Sequence, residues 1–115
     1  MGIGRPLHVA GQIGWDAQGH FASRALVDQF AVALDNVLAV VRAANGRPSD
    51  IASMTVFVTN IEEYRQSQRA LSPVWRDRMG SHYPAMALVA VSALVEREAV
   101  VEILAVAYID PGSAP

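Results

Sequence analysis

The sequence predicts an α+β fold, one sandwich in the order ββαβαββ with two helices on one face of a mixed sheet. Three patterns predict it: an alternating run near the N-terminus, two stretches with helical spacing, and β-branched or continuous apolar runs between and after them. "PLHVAGQIGWD" sets Leu7, Val9, Gly11 and Ile13 against His8, Ala10 and Gln12, the period of two of a half-buried strand. "DAQGH" has turn chemistry, and "HFAS" is expected to return as a short second strand that closes a hairpin.

From Ser23 the period changes. Leu26, Val27, Phe30, Leu34, Val37, Leu38 and Val41 recur at spacings of three and four, with Arg24, Asp28, Asp35 and Arg42 on the other side. That is an amphipathic helix, stopped by Asn45 and Gly46. Residues 52–59, "ASMTVFVT", are rich in β-branched side chains and read as a strand. Asn60 followed by Glu63 has the form of a capping box, after which Tyr64, Leu71, Trp75 and Met79 mark a second helical stripe. Pro73 is expected to kink or split this helix, because it removes an amide donor and crowds the preceding turn. Gly80 ends it. Gln68 lies on the same stripe and faces inward, either bonding backbone at the core edge or lining a pocket.

"AMALVAVSAL" and "AVVEILAVAYI" are the last two strands, and their near-continuous apolar character implies cover on both faces. Between them Glu96, Arg97 and Glu98 read as a solvated hairpin tip. Within the last strand Glu102 interrupts the apolar run, sharing its face with Val100, Leu104, Val106 and Tyr108. An isolated buried carboxylate costs several kcal/mol. Glu102 is therefore paired, exposed, or a carboxylate with a function, such as a general base.

The 115 residues fit one domain, with 1–6 and 110–115 expected to fray. A hydrophobic fraction of 52% is high for so small a chain, so part of it is expected to face another subunit. A net charge of −2 and scattered arginines give no basic groove, which argues against nucleic acid as a partner. Without cysteine there is no disulfide, zinc–thiolate site or thiol nucleophile. His8, His20 and His82 lie far apart, so no metal site is expected, and nothing resembles a nucleotide-binding loop, so no cofactor is. No apolar run is long enough for a membrane span, and no basic region with a signal core opens the chain; the expected location is the cytoplasm.

Taken together, "HVAGQIGWD", "QFAVALDNVLAVVRAANG", "MTVFVTNIEEY", "YPAMALVAVSAL" and "VVEILAVA" resemble the RidA/YjgF family, also called endoribonuclease L-PSP or translation-inhibitor-like proteins. The resemblance runs from about Leu7 to Tyr108 in unbroken order. It implies a chorismate-mutase-like fold, a homotrimer with a barrel-like centre, and clefts between neighbouring subunits that take a small molecule. For the best-known branch it implies an enamine/imine deaminase, a hydrolase acting on species such as 2-aminoacrylate. There an arginine after "PA" holds the substrate carboxylate through a bidentate fork. This chain has Met86 in its place. Glu102 matches the family glutamate thought to activate water, and Gln68 stands where an asparagine is common. The family's N-terminal segment, whose tyrosine reaches the cleft, is expected to be missing here, since Leu7 already starts the strand.

The resemblance thus assigns Glu102 as the catalytic candidate, with Met86, Ala87, Leu88, Gln68, Trp75 and His82 as substrate-binding candidates and Trp15 as a further apolar wall. Arg5, Arg78, His82 or Arg97 would have to replace the missing cation for the family's usual chemistry to survive. Two readings follow: an imine or enamine hydrolase with shifted specificity, or a non-catalytic, chaperone-like trimer that binds a metabolite in the same clefts. RNA cleavage, suggested by the family's older label, conflicts with the acidic balance.

Overall fold

A computed structural model of the protein describes residues 4–110. Its elements are β1 (Arg5–Ile13), α1 (Leu26–Ala43), a 3₁₀ turn (Pro48–Asp50), β2 (Ile51–Val58), α2 (Ile61–Gln66), α3 (Gln68–Met79), β3 (Ala85–Ala90) and β4 (Val101–Ile109). The sheet runs β1-β4-β2-β3, with β4 antiparallel to both neighbours and β2 parallel to β3. Parallel neighbours need a crossover, and α2 with α3 supplies it between β2 and β3. This is the expected mixed α+β architecture, with four strands among the described residues rather than five. No described helix is long and apolar enough to cross a membrane.

The helical stripe of α1 is buried as its spacing predicts: Leu26, Phe30, Leu34, Val37, Leu38 and Val41 pack on the sheet with Val9, Val56, Ile103 and Ala105. Asn45 ends the helix in a left-handed conformation, φ 66°, and the Gly46 amide donates to the Val41 carbonyl at 2.9 Å. Asn60 caps α2 by accepting from the Glu63 amide at 3.0 Å. The reciprocal half of the capping box is replaced by a longer reach: the Glu63 carboxylate accepts from the Leu26 amide at 3.1 Å, capping α1 from another helix.

Four expectations change. Residues 20–23 form no strand. Asp16 instead closes a tight turn, its carboxylate accepting from the amides of Gln18 and His20, both at 2.9 Å, and the His20 bond holds that carboxyl below the usual range. The second helix divides at Ser67, whose hydroxyl donates to the Glu63 carbonyl at 2.6 Å, and not at Pro73. Pro73 sits on the exposed side of α3 without interrupting it. The strand expected over residues 85–94 ends at Ala90, because β2, its only partner, ends at Val58. And β3 and β4 are not a hairpin: β2 lies between them, so Glu96, Arg97 and Glu98 sit in a crossing loop, exposed as expected.

At the ends, Arg5 and Pro6 pair with Ile109 and Tyr108, while the rest of the two expected frayed segments falls largely outside the described residues. One polar residue of α1 is buried as deeply as the core. Gln29, 1% exposed, donates to the carbonyls of Ser23 (2.9 Å) and Glu98 (2.7 Å) and accepts from the Val100 amide (2.8 Å), tying the loop before β4 to the start of α1. Replacing Gln29 with Leu strands all three backbone groups. The expected loss, measured by denaturant unfolding, is about 2–4 kcal/mol; a loss below about 0.5 kcal/mol contradicts the clamp.

Candidate functional site

Strand alternation sorts the candidate residues onto the two faces of the sheet. β3 pairs with β2 so that Met86 lies beside Met54 and Leu88 beside Val56, and both partners are buried under the helices. Met86 and Leu88 therefore point to the helix side, while Ala85, Ala87 and Val89 point to the other. On the helix side Met86, 43% exposed, helps close a cavity of about 270 Å³. Phe30 of α1 with Leu71 and Trp75 of α3 form its buried floor; Tyr64, Gln68, Ser72 and Tyr83 stand around it.

The floor is held from below. The Trp75 indole N–H donates to the His82 carbonyl at 3.1 Å, and its ring stacks on Tyr83 with centroids 5.8 Å apart and planes 13° from parallel. The His82 ring reaches the other way, with Nε2 at 2.7 Å from the Ile51 carbonyl, a contact that uses the Nε2–H form. His82 thus pins the approach to β3 onto the start of β2 and does not line the cavity. Gln68 is exposed at the rim of the cavity and makes no hydrogen bond among the described residues, so of its two readings it does not bond backbone at the core edge. Its amide is a free donor and acceptor beside an otherwise mostly apolar space.

No charged side chain lines this cavity. The alternative cations are elsewhere. Arg78 is occupied by Asp35, with Nε at 2.7 Å from Oδ1 and a second contact of 3.3 Å to Oδ2, and its remaining nitrogen donates to the Val74 carbonyl. Arg5 begins an edge strand opposite Ile109, and Arg97 is exposed in the crossing loop. Trp15 stands over a separate depression with Gln12, Asp16 and Asn36. Among the described residues no group of three His, Asp or Glu could hold a metal ion.

Glu102 occupies the opposite face. Its neighbours Val101 and Ile103 are fully buried toward the helices, which turns Glu102 outward with Leu104 and Val106, onto the face no helix covers. It pairs across the ladders with Ile13 and Phe57. The carboxylate is half-buried and makes no hydrogen bond or ion pair among the described residues. One sheet thus carries Met86, Leu88, Gln68 and Trp75 on one side and Glu102 with Ala87 on the other. Tyr64, Ser72, Tyr83, Phe30 and Leu71 are the cavity residues that sequence reasoning did not name as site candidates. For the first two the signal was present, since Tyr64, Gln68, Leu71, Ser72 and Trp75 follow one helical stripe.

This arrangement has known counterparts. The endoribonuclease L-PSP family matches residues 1–109. A 2-iminobutanoate/2-iminopropanoate deaminase of Dermatophagoides farinae is 27% identical over 109 residues, 94% of this chain and 81% of its own length. A RutC family protein of Pyrococcus horikoshii is 29% identical over 106 residues, 91% and 80% of the two chains. Among solved structures, the Rid family protein YyfB of Yersinia pestis superposes with a TM-score of 0.82 at 30% identity, covering 92% of this chain and 80% of that one. TdcF of E. coli, solved with bound serine, superposes at 0.80 with 28% identity, covering 94% and 84%. Match and superposition both span nearly the whole domain, and the chain belongs to the endoribonuclease L-PSP family, the RidA/YjgF proteins.

Proposed function

We propose that this protein hydrolyses reactive imines or enamines that lack a carboxylate, in clefts between the subunits of a homotrimer. The observation that carries the reading is Glu102: a carboxylate without a partner among the described residues, set among apolar side chains on an uncovered sheet face. Phe57, Leu104 and Val106 on that face are only half-buried, and Val89 and Tyr108 are 44% and 50% exposed. Such a surface asks for a second copy of the chain. Because Glu102 and the Met86 cavity lie on opposite faces, they can meet only if Glu102 of one protomer approaches the cavity of its neighbour.

The chemistry then follows from the groups available. Water adds to the carbon of the protonated C=N bond while Glu102 accepts a proton from it, giving a carbinolamine. The proton passes from Glu102 to nitrogen, the C–N bond breaks, and ammonia or an amine leaves as the carbonyl forms and the carbinolamine hydroxyl gives its proton back to Glu102. An enamine enters the same path once Glu102, in its protonated form, has delivered a proton to the β-carbon. Gln68 and the backbone of Ala87 and Leu88, on an edge strand with unpaired groups along one side, hold the substrate in place. The deaminase named among the relatives supports this reaction class. Met86 argues for the altered specificity, since a thioether cannot anchor a carboxylate.

Two substitutions test this in imine-decay and ammonia-release assays with one panel made from amino acids and one from simple amines. Wild type accelerates the amine panel more than the amino-acid panel, and Glu102→Gln reduces either rate to the spontaneous one. Met86→Arg restores a charge-assisted fork worth about 1.5–3 kcal/mol, so kcat/KM on the amino-acid panel rises roughly ten- to hundredfold. A wild type that accelerates neither panel sinks the hydrolase reading and leaves ligand binding in the same clefts. A Met86→Arg variant with unchanged preference removes Met86 as the source of specificity.

A further inference from the structure

We infer that Gly11 is a positioning residue for Glu102, kept as glycine so that the carboxylate can lie against the β1 backbone. The inference rests on the role given to Glu102 above. Between Val9 and Gln12 the pairing of β1 with β4 slips: Val9 stands opposite Ala105 and Gln12 opposite Ile103, so Ala10 and Gly11 together face Leu104. This is a β-bulge, a device that re-aims side chains at the cost of a ladder bond. A Cβ built on Gly11 would lie 2.7 Å from Glu102 Cδ and 2.9 Å from Cγ, and in contact with Oε2. The carboxylate therefore occupies the volume that any other residue at position 11 would fill.

Two comparisons within the molecule show that the fold does not ask for this glycine. First, backbone conformation does not require it: among the described residues the glycines with positive φ are Gly19 and Gly80, so alanine can adopt the Gly11 backbone. Second, the obstructing atoms differ from those at Gly4 and Gly14, whereas Gly46 meets the side-chain ends of Ile109 and Val41. At Gly4 the nearest atom is a backbone carbon of Tyr108, 2.8 Å away, and at Gly14 it is the Gln29 Cα at 2.7 Å; there a side chain would push main chain apart. At Gly11 the three nearest atoms all belong to the Glu102 side chain, which is held by no hydrogen bond among the described residues. A glycine inside a strand weakens it, yet here it spares nothing but the place of one carboxylate. What it preserves is the direction of that carboxylate, and with it the distance to a substrate carbon in the cleft.

The test is Gly11→Ala, examined by carboxyl-carbon NMR of Glu102, by thermal unfolding and by kinetics on whichever imine panel wild type accelerates. The expected result is a folded protein whose Tm is unchanged or raised, with the Glu102 carboxyl resonance displaced. In the same variant kcat falls at least tenfold while KM stays within about threefold, and adding Gly11→Ala to Glu102→Gln causes no further loss. A folded variant with the Glu102 resonance and kcat unaltered overturns the inference. Should Gly11→Ala unfold, Gly11→Ala with Glu102→Ala decides: refolding of the double variant shows the conflict to be with the carboxylate, and continued unfolding shows that the glycine serves the backbone and ends the proposal. The NMR result stands even if wild type hydrolyses no imine, so failure of the enzymatic reading and failure of this inference are separable.

Discussion

A sheet covered by helices on one face only is the constraint from which the rest of this molecule follows. Side chains alternate strictly along a strand, so every second residue of β4 is committed to the core: Val101, Ile103, Ala105, Ala107 and Ile109 are all buried. Their neighbours in sequence are just as strictly committed to the other face. Glu102 sits there for the same geometric reason that Val101 does not, and a slip of register by one residue would drive a carboxylate under α1. The polar ties in the structure serve this division. Gln29 fixes where β4 begins, and Glu63 fixes where α1 begins, so the sheet and its cover meet in one register.

The uncovered face is apolar enough to need a partner, and the cavity on the covered face is open enough to accept a ligand. In the proposed assembly each face completes the other, and Met86 is the residue proposed to select what enters. In its place an arginine would bring a fixed positive charge and a planar donor fork; a thioether brings polarizable bulk without a charge to neutralise. With Phe30, Leu71 and Trp75 beneath it and the unpaired Gln68 amide beside it, the space favours an uncharged group oriented by one or two hydrogen bonds.

Much of this was legible in the sequence, and the reasons differ from part to part. α1 was readable because seven apolar residues keep one helical period, and the second helical stripe survives even the break at Ser67. Glu102 and its face-mates follow from a period of two. The "HFAS" strand was misread because a pattern of residues cannot show that the Ser23 carbonyl is already claimed by Gln29. The length of β3 was misread because a strand ends where its partner ends, which is a property of the sheet and not of the apolar run. Gly11 looked like one more inward position of an alternating strand, although an interior glycine is itself a sign of a bulge. That Met86 and Glu102 fall on opposite faces could not be read at all, since it depends on strand order and pairing register. Gln29 could have been found: it lies on the buried stripe three residues after Leu26 and four before Ala33.

The most direct test of the central claim is subunit complementation. Two variants are prepared, Glu102→Gln and Met86→Glu, the second placing a like charge where the neighbouring carboxylate must approach, and each is assayed alone and after dissociation and random reassembly with the other. If the site is shared between protomers, each variant alone is inactive and the mixture recovers about a quarter of the wild-type sites, those in which an intact Glu102 meets an intact Met86 cavity. If the mixture stays as inactive as its components, the two residues act within a single protomer or not together, and the shared-site account is wrong.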